Sequence, residues 1–131
     1  MNYYKEQISK FQNKLFGRGN KINHLIAAKQ FIDTNYNNKI DLNKISRVAF
    51  LSKFHFIRSF TKIYGITPHK HLTEVRIKYA KKLLNSGMKV ADVCFSIGFE
   101  SISSFIILFK KETGITPGEF PLKKKQFSIT K

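Results

Sequence analysis

The chain has no tryptophan, one cysteine and only eight acidic residues among its 131. A lone cysteine, Cys94, excludes an internal disulfide and fits a reducing compartment. No apolar run approaches the roughly 20 residues of a membrane-spanning helix. The opening MNYYKEQISK lacks the apolar stretch of a secretory signal. A soluble cytoplasmic protein with no place in a membrane is expected. The materials of catalysis are scarce too. His24, His55, His69 and His71 are scattered, and His69 and His71 do not share a helix face. No Cys–His spacing suggests zinc, and no glycine-rich loop would cradle a phosphate. Asp33, Asp41, Glu74, Asp92 and Glu119 mostly sit where helix caps or surface pairs belong. Cys94 reads as a small core residue. No catalytic residue, metal or cofactor is expected.

Positive charge is abundant. Twenty-four Lys and Arg give a net charge of +16, which favours a polyanionic partner because neutralised phosphates release condensed counterions. Nucleic acid is the first candidate; an anionic membrane surface or an acidic protein is the second. Thirteen Phe and five Tyr supply enough apolar volume for one domain or two very small ones.

The apolar residues recur at helical spacing and little alternates with period two, so the fold is expected to be all-α. Tyr4, Ile8, Phe11 and Leu15 mark an amphipathic segment over 2–16, and Gly17-Arg18-Gly19-Asn20 reads as a linker. From Lys21, Ile22, Leu25, Ile26 and Phe31-Ile32 describe a helix that stops in the polar cluster 35–38. Asp41 and Ser52 are candidate N-caps for helices to about Ala49 and to Tyr64, the second closed by Gly65. Thr67-Pro68 opens a long helix to about Ser86, with Gly87 after it. Shorter helices follow over about 89–97 and 101–113, separated by a turn at Gly98. Thr116-Pro117-Gly118-Glu119 repeats the Thr-Pro start with a capping-box glutamate. The tail 121–131 contains the basic run Lys123–Lys125.

The informative feature is an internal repeat. Ser52–Pro68 (SKFHFIRSFTKIYGITP) overlays Ser101–Pro117 (SISSFIILFKKETGITP) at an offset of 49, with nine of 17 positions identical. Upstream, Ile45-Ser46 matches Val93-Cys94 at an offset of 48, which puts one extra residue in the second turn, near Gly98. Each copy is a short helix, a tight turn and a longer helix. Small residues, Ser46 and Cys94, stand where the first helix of each copy crosses the second. On the longer helix of the first copy, Phe56, Phe60 and Ile63 are expected to face the core. Phe54, Arg58 and Thr61 face away, with Ile57 at the edge.

These blocks resemble the DNA-binding domain of the AraC/XylS family of bacterial transcription regulators. The likeness covers about residues 22–120. It is carried by Ser52–Phe60, Gly65-Ile66-Thr67-Pro68, Arg76–Leu84, Val93-Cys94, Ile97-Gly98-Phe99, Phe109-Lys110-Lys111 and Gly114-Ile115-Thr116-Pro117. It implies two homeodomain-like helix-turn-helix subdomains, about 42–65 and 89–113, joined by a connecting helix over about 68–86. It also implies two recognition helices in successive major-groove segments of double-stranded DNA. Nineteen residues make about 28 Å of helix. With flanking turns this can bridge one groove repeat of about 34–36 Å, and it cannot bridge two.

The resemblance makes Lys53, Phe54, Ile57, Arg58, Thr61 and Lys62 the DNA-contacting residues of the first copy. Arg58 is the leading base reader, since its guanidinium fork suits guanine O6 and N7. Phe54 would meet thymine methyls or sugar, while Lys53, Lys62, Lys110 and Lys111 suit phosphate. In the second copy the candidates are Ser101, Ile102, Ser103, Ser104, Ile107, Lys110 and Lys111, with Ile106 beside them. Ile107 stands where the first copy has Arg58, and aliphatics on a DNA face can read only methyl groups. Charge divides the same way. Residues 42–65 hold five basic and no acidic side chains, whereas 90–114 hold two basic and three acidic. The second copy is expected to bind weakly, to rely on backbone amides, or to contact a protein such as RNA polymerase through Ile106 and Ile107. The first turn, Ala49-Phe50-Leu51, lacks the glycine usual in the family, and Phe50 is expected to pack inward.

The function expected is sequence-specific transcription regulation at the bacterial nucleoid, with binding as a monomer open. The alternative is a basic helical protein that binds nucleic acid without sequence preference. The chain reads equally as a stand-alone regulator or as the C-terminal part of a longer one.

Overall fold

The helical periodicity carries through to the backbone. In the computed structural model, which describes residues 19–121, six helices follow one another, with no strand among the described residues. In chain order they are α1 (Gly19–Asn35), α2 (Leu42–Val48), α3 (Lys53–Tyr64), α4 (Pro68–Asn85), α5 (Val90–Ser96) and α6 (Ile102–Thr113). The amphipathic segment expected over 2–16 and the basic run Lys123–Lys125 lie outside the described residues. α1 opens at Gly19, inside the stretch that reads as a linker. N–H groups in a first helical turn have no intrahelical partner anyway, so Gly19 and Asn20 end the apolar pattern without ending the helix. The described chain divides into two compact units: residues up to 33 with 41–69, and residues 34–40 with those from 70 onward.

In the first unit α1 buries Leu25, Ala28 and Ile32, at the spacing of one helix face. Ile22 and Ile26 remain exposed. Asp41 caps α2, its Oδ1 accepting the Lys44 N–H at 2.8 Å, and Ser52 caps α3 by accepting from the His55 N–H. Both caps relieve amide groups that the helices leave unpaired. Phe56 and Phe60 of α3 are fully buried and meet edge-on, centroids 5.6 Å apart. Ile63, expected beside them, is exposed. Steps of four residues rotate about 40° around the helix, so the aromatic stripe winds from Phe60 on to Tyr64 (4.7 Å) and away from Ile63. Lys29 of α1 holds its ammonium 5.7 Å from the Tyr64 ring and pairs with Asp33.

The α2–α3 turn corrects the expectation for Phe50. Its backbone is left-handed (φ 55°), and its side chain points outward, 78% exposed, against His24 with ring centroids 4.9 Å apart. A left-handed residue is what closes this turn: the Leu51 N–H reaches the Ser46 carbonyl at 3.2 Å. In that conformation the Cβ of Phe50 leaves the core side, so the ring cannot pack inward.

The second unit builds one core from Ile77, Ala80 and Leu84 of α4, Val93, Cys94 and Ile97 around α5, and Phe105 and Phe109 of α6. Phe105 and Phe109 repeat the edge-on contact of the first unit, at 5.8 Å. α4 ends in a Schellman motif: Met88 N–H bonds to the Leu83 carbonyl and Gly87 N–H to the Leu84 carbonyl. Past α6, Thr116 and Glu119 form the expected reciprocal cap, each bonding the other's backbone N–H at 3.3 Å.

At the α5–α6 turn Gly98 (φ 98°) holds the place of Phe50, and the Phe99 N–H reaches the Cys94 carbonyl at 3.1 Å. A Cβ there would lie 2.8 Å from the Tyr36 carbonyl oxygen and 2.9 Å from an Arg76 nitrogen. Arg76 explains the crowding. From α4 it donates to the Tyr36 carbonyl (2.7 Å) and the Asn38 carbonyl (3.0 Å), and its guanidinium lies 5.4 Å from the Phe99 ring. Tyr36 stacks flat on Tyr79 of α4, centroids 4.3 Å apart.

Candidate nucleic-acid interface

Each unit offers one helix whose inner face is occupied by an aromatic pair and whose outer face is open. On α3, Lys53, Phe54, Arg58 and Lys62 are exposed, and Phe54 is 75% so. Ile57 is half-buried at the margin, as its helical position requires. Among the described residues no acid pairs with Arg58, so its fork is available to a ligand. Thr61 is less available than expected. It is half-buried, and its hydroxyl donates to the Ile57 carbonyl at 2.7 Å, which leaves it only acceptor capacity. His55, on the same helix, contacts Lys21 of α1 at 2.5 Å.

On α6, Ser101, Ile102, Ser103, Ser104, Ile107, Lys110 and Lys111 are all exposed, and Ile106 is half-buried. Ser101 caps the helix by accepting the Ser104 N–H. The acidic excess counted along this copy is smaller in three dimensions. Glu100 pairs with Lys39 at 3.1 Å and Glu112 with Lys70 at 2.6 Å, both lysines lying outside the 90–114 span. Composition over a sequence window could not find these pairs, because 61 and 42 positions separate the partners.

The shared scaffold lets the two outer faces be compared place by place. Arg47, Lys53 and Arg58 of the first unit correspond to Phe95, Ile102 and Ile107 of the second. All six are exposed. Three cations have become three apolar side chains at equivalent surface positions.

Cys94 is fully buried at the α5 crossing, and burial pushes its thiol pKa up, which suits a packing residue. Among the described residues, no three His, Cys, Asp or Glu side chains group as metal ligands would. Among the same residues, no helix is long and apolar enough to cross a membrane.

Two capped, tandem helix-turn-helix units with open outer helices define a DNA-binding class. Residues 45–122 match the helix-turn-helix domain family, and the chain belongs to that family in its AraC-type form. A bifunctional transcriptional activator/DNA repair enzyme, AdaA of Bacillus subtilis, is 36% identical over 92 residues, which are 70% of this chain and 44% of that protein. The chain thus spans less than half the length of that curated relative. The C-terminal domain of the response regulator yesN from Fusobacterium nucleatum superposes with a TM-score of 0.69 at 29% identity, covering 72% of this chain and 93% of that one. The DNA-binding domain of AdpA, solved with a target DNA, shares the fold with a TM-score of 0.74 at 21% identity, covering 78% and 93%.

Proposed function

We propose that the chain is a bacterial transcription regulator, or the DNA-binding part of one, acting in the cytoplasm by binding and not by catalysis. One chain supplies two recognition helices, α3 and α6, for successive major-groove segments of one asymmetric site, and α3 contributes most of the specificity. The division of α3 into two faces carries this reading. Phe56 and Phe60 account for its packing, while Arg58 and Phe54 on the other side, and Lys53 exposed in the first turn, contribute nothing to the core and suit guanine, sugar or methyl, and phosphate respectively. A net charge of +16 adds affinity for any duplex. AdpA, of the same fold, is described in complex with a target DNA, and AdaA as a transcriptional activator, which supports the same class of partner and role.

Selection of bound duplexes from random DNA tests the proposal. The expected product is a bipartite site with one strongly specified half that contains guanine. Random DNA that competes as well as any selected duplex would reject the reading and favour binding without sequence preference.

A further inference from the structure

The cation-to-apolar exchange between the two units assigns α6 a chemistry of its own. Ile102, Ser103, Ile106 and Ile107 lie within about 140° of helix rotation, and Lys110 falls on the same arc two turns on. Phe105 and Phe109, fully buried, hold the side that adjoins Ile102 and lies opposite Ile107. Ile102 is 37% exposed, Ile106 half-buried and Ile107 69% exposed, so the arc leaves the core at its Ile107 edge. Ile107 is not needed to fill the core, whose α6 share Phe105 and Phe109 provide, and Ile102 and Ile106 extend an apolar surface from that core towards it.

We infer that α6 reads thymine, through contact of Ile102, Ile106 and Ile107 with C5-methyl groups in the major groove, so that the second half of the site is specified by A·T pairs. This rests on the DNA-binding role proposed above and adds the base that each unit recognises: guanine through Arg58 on α3, thymine through isoleucine on α6. The thymine methyl is the one apolar group on the major-groove edge of the four unmodified bases. Three branched aliphatics grouped about Ser103 have no other base edge to match. The surroundings fit a duplex better than a protein. Lys110 on the arc and Lys111 just beyond its edge suit phosphate, and Glu100 and Glu112 are held by Lys39 and Lys70. An apolar patch of three side chains also falls short of the roughly 1,000 Å² that a stable protein interface buries.

The test uses the whole chain and the duplex it selects from random DNA. Thymines in the α6 half are replaced singly by deoxyuridine, which removes the methyl and keeps every hydrogen bond. Binding is expected to weaken about fourfold at a contacted position, the equivalent of about 0.8 kcal/mol for one buried methyl-sized group. Ile107→Ser is expected to weaken binding to the thymine duplex and to erase the deoxyuridine effect at one position. Its circular dichroism should be unchanged, because Ile107 is exposed. A second half without A·T preference, or one indifferent to deoxyuridine, overturns the inference while leaving the guanine half and the DNA-binding role intact. Full affinity in Ile107→Glu overturns it as well and turns the face towards a protein partner. Failure to select any site rejects the DNA-binding role and this inference together.

Discussion

Phe50 and Gly98 occupy the same place in the two helix-turn-helix turns, and both have left-handed backbone, φ 55° and 98°. The same two hydrogen bonds surround them. The left-handed residue's N–H reaches three residues back, to Arg47 or Phe95, and the next N–H reaches the Ser46 or Cys94 carbonyl. The turn therefore demands the conformation, and in the first unit phenylalanine meets the demand at a cost of about 1–2 kcal/mol. Since the Phe50 side chain is largely exposed, little burial offsets that cost beyond the contact with His24. Phe50→Ala removes the ring and keeps the strain; Phe50→Gly removes both. The glycine variant is expected to be more stable than the alanine variant by about 1 kcal/mol in urea denaturation. Equal stability would mean that the left-handed backbone costs nothing here.

The equivalent change in the second unit should behave oppositely. At Gly98 a methyl group meets the Tyr36 carbonyl and the Arg76 guanidinium as well as an unfavourable φ. Gly98→Ala is expected to destabilise by about 2–4 kcal/mol, several times the difference between the Phe50 variants. Arg76→Ala removes two hydrogen bonds from a charged donor to loop carbonyls and should cost about 2–3 kcal/mol. Amide exchange is the more telling measurement: protection around residues 36–38 should fall in Arg76→Ala, since that loop loses its tie to α4. Unchanged exchange there would show that the stacked Tyr36 and Tyr79 hold the loop alone.

Cys94 and Ser46 are counterparts in the two units, which makes Cys94→Ser an informative substitution. Ser46 is buried and donates its hydroxyl to the Asn43 carbonyl, three residues back, at 2.9 Å. A serine at 94 has the Ala91 carbonyl at the same spacing, so its cost is expected to stay below about 1.5 kcal/mol. The pH dependence separates the two side chains. Burial raises the folded thiol pKa above that of the unfolded chain, so between those values the folded state binds more protons. Stability from this group is full below the ordinary thiol range and is lost as pH rises through the folded pKa. Denaturation midpoints measured from neutral to alkaline pH should fall more steeply for the native chain than for Cys94→Ser.

Much of this architecture was legible in the residues because its signals are local. Asp41, Ser52, Gly65, Gly87 and Glu119 act within a few residues of themselves, and each does so where the sequence pattern puts it. The repeat then doubled the information on both turns. The harder cases depend on partners far along the chain or on an unusual backbone. Nothing beside Arg76 in sequence points to the loop 36–38 that it binds, and nothing beside Glu100 or Glu112 points to Lys39 or Lys70. Phe50 reads as a core residue by type, and only the offset that aligns it with Gly98 hints at a left-handed turn. Ile63 fits the apolar face by spacing, yet Tyr64 continues the stripe in its place because its ring reaches both Phe60 and Lys29.

The division of labour on α3 can be tested by comparing a fork with a point charge. Arg58 can bond both O6 and N7 of one guanine, so Arg58→Ala is expected to cost about 1–3 kcal/mol on the selected duplex and to relax preference at a single base pair. Its affinity for random DNA should fall far less. Lys53 opens the helix and is exposed. A phosphate contact there carries no sequence information, so Lys53→Ala should weaken selected and random duplexes alike. It should also lower the slope of log affinity against log salt by about 1. Titrations on both duplexes across a range of salt distinguish the two roles, since one variant changes specificity and the other changes the electrostatic slope. If Arg58→Ala lowers affinity for both duplexes equally, Arg58 serves phosphate, and base reading on α3 passes to Phe54 and Ile57.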